Sequence, residues 1–366
     1  MKGPLHVAVT GMNAGDSPAP GVGVARCIRE SNPDSIKIIG LGYDALDSGI
    51  LDPHLAQCSY LLPYPRDGRA SLLKRLIEIH ERERIDVLIP CLDAELPNFI
   101  ALEPQLLELG IRVFLPTAEQ FRLREKQNLS EFSKASGVRV PETLQVHDPL
   151  DARIQSMNFP VMVKGIFYDA YHARSAQEAS HFVTKIAQVW GYPVLIQQFV
   201  SGEEYNAAIL GDGSGAVVSS ASMKKLVLTE KRKGWACVSI ENPELTALAE
   251  KIVSALKWRG PMEVEAIYSE EDRCFYLIEL NPRFPAWIYL AKAAGVDLPT
   301  ECLKLARGEP PARQSSYRSG VVISNYTTNL VVKLDEIKTL FTDGELQNDK
   351  LVSKTKPIAA AGGAQQ

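Results

Sequence analysis

Apolar positions in the first third of the chain fall into short solid runs separated by longer periodic segments. "LHVAVTG" (5–11), "IKIIGLGYD" (36–44), "DVLIPCLD" (86–93) and "RVFLPT" (112–117) have the length and apolar content of buried strands. Between them, "GVGVARCIRE", "RASLLKRLIEIHERERI" and "LEPQLLELGI" repeat apolar residues at helical spacing. Alternation of this kind predicts βαβ units and a parallel sheet over residues 1–115. The next stretch predicts a helix ending at Ala135 with Gly137 as its stop. A strand in "FPVMVKG" follows, then a helix opened by a capping box of Ser175 and Glu178. From residue 192 the period shortens, and a run of antiparallel strands turns at Gly211-Asp212-Gly213. "NPELTALAEKIVSALKWRG" reads as a helix capped by Asn242. "PMEVEAIYSEEDRCFYLIELNPR" (261–283) reads as a hairpin turning within "SEEDR". "AWIYLAKAAG" and "LPTECLKLARG" are helices, and past residue 309 one strand, "SGVVISNYTTNLVV", and a short helix are expected. The end, "KTKPIAAAGGAQQ", has too few bulky apolar residues to pack and is expected to be disordered.

Bulk properties narrow the function classes. A chain of 366 residues holds two or three domains. The net charge of −4 gives no electrostatic case for nucleic acid or an anionic membrane surface. Cysteines 27, 58, 91, 237, 274 and 302 show no CxxC pairing and lie mostly in apolar runs, so reduced core thiols of a cytoplasmic protein are expected. The N-terminal apolar run is too short for a signal h-region, and no stretch approaches the length of a membrane span.

The hairpin carries the chemistry. Glu263 and Glu265 are two apart on its first strand, and Glu279 and Asn281 are two apart on its second, so each pair shares a face. With the turn in "SEEDR", Glu265 and Glu279 approach across the strands. Opposed carboxylates repel, which calls either for a cation between them or for a solvated polar face. Two glutamates and a carboxamide are oxygen-only donors, better suited to magnesium than to zinc. Arg283, two residues past Asn281, has the fork to hold a phosphate or carboxylate.

"VEAIYSEEDRCFYLIELNPR" resembles the magnesium-binding strand pair of the ATP-grasp superfamily. The resemblance is especially to its carbamoyl-phosphate-synthase-like and biotin-carboxylase-like carboxylate–amine ligases. The resemblance implies Glu265, Glu279 and Asn281 as ligands of Mg2+ (or Mn2+), with Glu263 beside them and Arg283 as the phosphate or substrate clamp. Other parts follow in the family's order over residues 5–310. Lys126 and Lys164 correspond to its phosphate-binding lysines. "QQFVSGEEY" corresponds to its hinge, implying ATP contacts from Gln197, Gln198, Phe199 and Val200, and ribose contacts from Glu204. Lys225 and Gly234 flank the basic segment that carries substrate and phosphate contacts in the family. "DPHLAQCSYLLPYP" resembles a segment of its preceding domain. There Asp93 and Glu95 are expected to face the acceptor, while the aromatic residues Phe284, Trp287 and Trp235 line its pocket. One departure is "KGIFYDAYHARSAQEA", which lacks the glycine-rich lid and has Tyr168, Tyr171 and His172 in its place. The Gly21/Gly23 pair does not complete a dinucleotide fingerprint, so NAD is not expected.

The fold implied is α/β and α+β: an N-terminal parallel-sheet pre-ATP-grasp domain (1–115), then a two-lobed ATP-grasp domain with a mostly antiparallel sheet. Its small lobe is expected at 116–200 and its large lobe at 201–310, with a strand–helix addition at 311–345 and a disordered tail at 346–366. The activity implied joins a small-molecule or peptide carboxylate to an amine through an acyl phosphate, releasing ADP. A bicarbonate-using carboxylase or carbamoyl-phosphate-type kinase, and a non-catalytic ATP-binding regulator, are the alternatives. No nucleic-acid or membrane partner is expected, and family members are often homodimers.

Overall fold

The computed structural model describes residues 3–14, 18–125, 128–166, 169–229, 233–314, 316–327 and 329–348. In chain order, the first elements are β1 (Leu5–Val9), α1 (Pro20–Ser31), β2 (Ile36–Gly42), α2 (Ser48–Leu51) and β3 (Cys58–Leu61). They continue with α3 (Arg69–Glu83), β4 (Val87–Ile89), α4 (Leu96–Glu108), α5 (Ala118–Leu123), α6 (Leu129–Ser136) and β5 (Thr143–Val146). Next come β6 (Val161–Gly165), β7 (Ala170–Ala173), α7 (Ala176–Trp190), β8 (Val194–Gln198), β9 (Glu203–Asp212) and β10 (Val217–Leu228). The middle of the chain ends with β11 (Gly234–Ile240), α8 (Pro243–Leu256), β12 (Arg259–Ser269) and β13 (Cys274–Asn281). The last elements are α9 (Ile288–Ala294), α10 (Leu298–Ala306), β14 (Val322–Ser324), α11 (Leu334–Asp343) and β15 (Glu345–Gln347). They divide into two compact units. One comprises 1–115, 225–239 and 283–366; the other comprises 116–224 and 240–282.

The first unit is built on a sheet of order β15-β3-β2-β1-β4. β3, β2, β1 and β4 run parallel, as the βαβ pattern predicts, and β15 closes the β3 edge antiparallel. "RVFLPT" does not form the strand expected of it; Arg112 makes a single parallel bridge to Val87. The expected strand over 319–332 is likewise short, three residues paired with β11. The glycines in the first turn of α1 serve packing. A Cβ on Gly21 would lie 1.9 Å from the Thr10 carbonyl oxygen, so the helix start touches the end of β1 only because that side chain is absent.

The second unit contains two antiparallel arrays. One is the four-stranded sheet β5-β8-β6-β7, covered by α7. The Ser175 hydroxyl caps α7 by accepting from Glu178 N–H, while the Glu178 carboxylate accepts from Arg174 N–H rather than from Ser175. The other array runs β13-β12-β9-β10. Its apolar face, including Ala207, Ile209, Val264, Ala266, Leu277 and Leu280, packs on α6 and α8. Asn242 caps α8 by accepting from Leu245 N–H.

All six cysteines are free, five buried and Cys274 half-buried. Among the described residues no helix is long and apolar enough to cross a membrane. Most of the expected disordered tail, from residue 349 onward, lies outside the described residues.

Candidate active site

The β12–β13 hairpin pairs Glu263 with Asn281 and Glu265 with Glu279 in direct register. On the other side of β12, β9 pairs Asn206 with Glu265 and Ala208 with Glu263. Residues two apart on a strand share a face. The face opposite the α8 core therefore collects Glu204, Asn206, Glu263, Glu265, Glu279 and Asn281. A register shift between Glu265 and Ala266 gives β13 one extra residue there. That bulge explains a conflict in the pattern. Leu277 and Glu279 are two apart and should share a face, yet Leu277 is in the core and Glu279 is half-buried on the other side. The extra residue reverses the alternation and re-aims the strand at this point.

Glu263 and Asn281 are each 5% exposed, whereas Glu265 and Glu279 are half-buried. The Asn281 amide donates to Glu265 Oε1 at 2.9 Å and to Glu263 Oε2 at 3.3 Å. The Asn206 amide donates to Glu263 Oε1 at 3.1 Å. The array is a set of carboxylate oxygens held by amide donors. Among the described residues no group of three or more His, Cys, Asp and Glu is arranged to hold a metal ion. The candidate metal site is thus two facing carboxylates and one carboxamide, an all-oxygen set that fits a small hard dication completed by water or phosphate oxygens.

On the four-stranded sheet, Lys164 Nζ donates to Gln197 Oε1 at 2.7 Å, and Gln197 Nε2 donates to Thr143 Oγ1 at 3.1 Å. Gln197 is buried, Gln198 and Phe199 are exposed and Val200 is buried. The Gln198 and Phe199 N–H groups donate to the Glu142 and Pro160 carbonyls. Neither can therefore serve as the N–H donor to a purine ring. A Cβ on Gly202 would lie 1.9 Å from the Tyr268 carbonyl oxygen, so the hinge can lie against the end of β12 only with glycine there. His172 on β7 packs edge-on to Phe199, with ring centroids 4.8 Å apart. Tyr171 stacks on Phe182 of α7. Lys126 and Tyr168 lie outside the described residues.

In the first unit, Arg283 Nε donates to Asp93 Oδ2 at 2.8 Å. Lys225, near the end of β10, is half-buried. Glu95 does not face a substrate as expected. It is fully buried and accepts from the Thr10 and Tyr43 hydroxyls and from Cys91 and Leu92 N–H. It ties together the loops that follow β1, β2 and β4. Burial pushes its carboxyl above the usual range, with Thr10 and Tyr43 opposing that shift. Burial also raises the Tyr43 phenol, reinforced by the Glu95 charge. Phe284 and Trp287, expected to line an acceptor pocket, are both buried. Asn206 contacts the carboxylate array without having been singled out among the candidate residues; an asparagine in the run "EYNAAIL" carries no motif signal.

A family model described as ATP-grasp in the biosynthetic pathway with Ter operon matches residues 192–329, which include the hinge and the carboxylate hairpin. Among solved structures, the biotin carboxylase–beta-gamma-ATP complex from Campylobacter jejuni superposes over 87% of this chain and 74% of its own, with TM-score 0.67 and 16% identity. The chain has the ATP-grasp fold. An L-amino acid ligase from Bacillus licheniformis shares this ATP-grasp architecture over 84% of the chain and 75% of its own, with TM-score 0.63 and 14% identity. By sequence, the C-terminal section of the carbamoyl phosphate synthase large chain from Methanopyrus kandleri is 25% identical over 217 residues, 54% of this chain. The chain spans only 40% of that relative's length.

Proposed function

We propose that the protein is an ATP-dependent, ADP-forming carboxylate–amine ligase. The observation that carries this reading is the register pairing of Glu265 with Glu279, beside Asn281, within an ATP-grasp fold. Glu265, Glu279 and Asn281 would hold Mg2+. The bound ion supplies positive charge between a triphosphate and an attacking carboxylate, which otherwise repel. Lys126 and Lys164 neutralise the remaining phosphate charge, and Arg283 clamps phosphate or the substrate carboxylate. Lys225 contributes to the same charge balance at the reacting end. The Gln197–Val200 hinge holds the adenine, with the base reading main-chain groups of Gln197 and Val200, and Glu204 accepts from the ribose hydroxyls.

In the reaction a substrate carboxylate oxygen attacks the γ-phosphorus and the bond to the β-phosphate oxygen breaks. ADP leaves and an acyl phosphate remains. An amine then displaces phosphate, releasing a proton as the amide forms. The acyl phosphate needs protection from water. The six free cysteines fit the reducing cytoplasm, and none is needed as a nucleophile.

An amino acid or peptide substrate is supported by the L-amino acid ligase neighbour. A bicarbonate substrate is the second reading, favoured by the biotin carboxylase neighbours. ADP release measured with a panel of amino acids and dipeptides, each with and without bicarbonate, separates the two. Stimulation by an amino acid or peptide supports ligation, and stimulation by bicarbonate alone supports the second. No turnover alongside tight ATP binding rejects both in favour of a regulator.

A further inference from the structure

Asn206 has a property that the ligand set does not explain. It is 1% exposed, its Nδ2 donates to Glu263 Oε1, and its Oδ1 is buried with no hydrogen-bond partner. A buried carbonyl without a donor is costly, so its persistence asks for a reason. An amide can be rotated by half a turn to exchange its oxygen and nitrogen. Here that rotation would aim Oδ1 at Glu263, and an ionised carboxylate can only accept. The orphaned oxygen is therefore the consequence of supplying Glu263 with a donor.

Glu263 passes the constraint on. Its second oxygen accepts from Asn281 Nδ2, the nitrogen that also donates to Glu265. Both hydrogens of the Asn281 amide are thus committed to carboxylates, and its Oδ1 is turned away from both. A metal ligand must present that oxygen, never the NH2 group, to a cation. With Glu265 alone as acceptor, one hydrogen would be uncommitted and the amide less firmly held. Glu263 differs from Glu265 in having each of its oxygens engaged by a buried amide, Oε1 by Asn206 and Oε2 by Asn281.

We infer that Asn206 and Glu263 form a buried positioning pair that fixes the amide of Asn281 and thereby sets the affinity of the site for a divalent cation. The inference rests on the proposed metal role of Glu265, Glu279 and Asn281. Partners that orient metal ligands in this way typically change affinity by roughly 10–100-fold when removed.

The test measures Mn2+ binding to the purified full chain by electron paramagnetic resonance, with β,γ-methylene-ATP present, for wild type, Glu263→Ala, Glu263→Gln and Asn206→Leu. Thermal unfolding of each metal-free variant is measured in parallel. Glu263→Ala is expected to weaken Mn2+ binding by roughly tenfold or more. Glu263→Gln is expected to recover most of the loss. Its carboxamide oxygen can accept from Asn281, and its NH2 can donate to the now useful Asn206 Oδ1. Asn206→Leu removes the orphan but also takes the donor from the buried Glu263 Oε1, so its metal-free unfolding temperature should fall together with its Mn2+ affinity. Glu263→Gln, neutral and fully paired, should instead unfold at or above the wild-type temperature while its Mn2+ affinity stays slightly below wild type. A merely structural role would move stability and affinity together in Glu263→Gln as well. Wild-type binding with equal affinity in Glu263→Ala and Asn206→Leu overturns the positioning pair and leaves the metal site standing. Absence of nucleotide-dependent Mn2+ binding in wild type overturns both.

Discussion

At the scale of single residues, charge balance around the proposed triphosphate site makes the sharpest claims. Glu279 faces Glu265 in register. Glu279→Gln keeps the shape and removes one of the two carboxylates on which a cation depends. Turnover is expected to fall by at least about 100-fold, with the unfolding temperature held or slightly raised as carboxylate repulsion is relieved. Cys274→Ser is the control on the same strand. Its thiol accepts from Arg139 Nη1 at 3.0 Å, and activity should be unchanged. Equal ADP release from the two variants would remove the hairpin from the chemistry. A second claim concerns Lys164. Its ammonium meets the neutral Gln197 at 2.7 Å, so Gln197 takes a hydrogen bond without cancelling the charge. Gln197→Glu would place a carboxylate there and turn the contact into a half-buried ion pair. A cost of about 1 kcal/mol to phosphate binding corresponds to a rise of roughly fivefold in KM for ATP, with kcat changed less. Steady-state kinetics on the variant decides it, and an unchanged KM would mean that Lys164 does not contact the nucleotide.

At the scale of elements, β15 shows how a short segment closes a sheet. Gly344 O accepts from Arg75 Nη2 at 2.7 Å, and the Arg82 guanidinium pairs with Glu345. Asn348, fully buried, donates to the carbonyls of Ile50 and Ala56 and to the Ser59 hydroxyl. Beside this strand the buried Glu83 carboxylate accepts from Lys37 at 2.8 Å, from the Tyr60 hydroxyl at 2.5 Å and from Gln347 at 3.3 Å. Burial acts to raise its pKa, but the donors, Lys37 foremost, leave it below the ordinary 4.5. A lowered folded-state value means that Glu83 stabilises the protein above pH 4.5, and that this contribution disappears as pH falls through the folded-state value. Urea unfolding of wild type and Glu83→Gln should therefore differ at pH 7 and converge at lower pH. A difference that persists undiminished at pH 3 would show that the carboxylate charge is not the source. None of this was legible in the sequence. "ELQN" is four residues with no period, and its partner strand lies almost three hundred residues earlier. The hairpin was legible, because Glu263 and Glu265 on one strand, Glu279 and Asn281 on the other and a polar turn between them bring Glu265 toward Glu279. The bulge after Glu265 was not, since an inserted residue leaves no mark on composition. The failure of "RVFLPT" to form a strand has a similar cause. An apolar run specifies burial, but only a neighbouring backbone can make it a strand, and here the ladder is a single bridge, Arg112 to Val87. Glu95 was misread because a carboxylate in a loop looks solvated until the hydroxyls of Thr10 and Tyr43 are seen to converge on it.

At the scale of the whole molecule, the proposed function predicts how cation and nucleotide depend on each other. Glu265 and Glu279 oppose a triphosphate electrostatically, so metal-free ATP should bind poorly. Mg2+ alone meets two carboxylates and one amide, too few ligands to hold it tightly without phosphate oxygens. Together each supplies what the other lacks. A ligand bound only by the folded protein stabilises it by about 2.7 kcal/mol at a hundredfold excess over its dissociation constant. For a protein of this size that amounts to a rise of several degrees in unfolding temperature. The expected result is a clear shift with Mg2+ and β,γ-methylene-ATP together, and little shift with Mg2+ alone or with the nucleotide in EDTA. In Glu279→Gln the combined shift should shrink toward that of the nucleotide in EDTA, because the loss falls on the coupling and leaves the hinge intact. Separate shifts that simply add, or a combined shift that survives in Glu279→Gln, would place the cation on the nucleotide alone and take the hairpin out of the site.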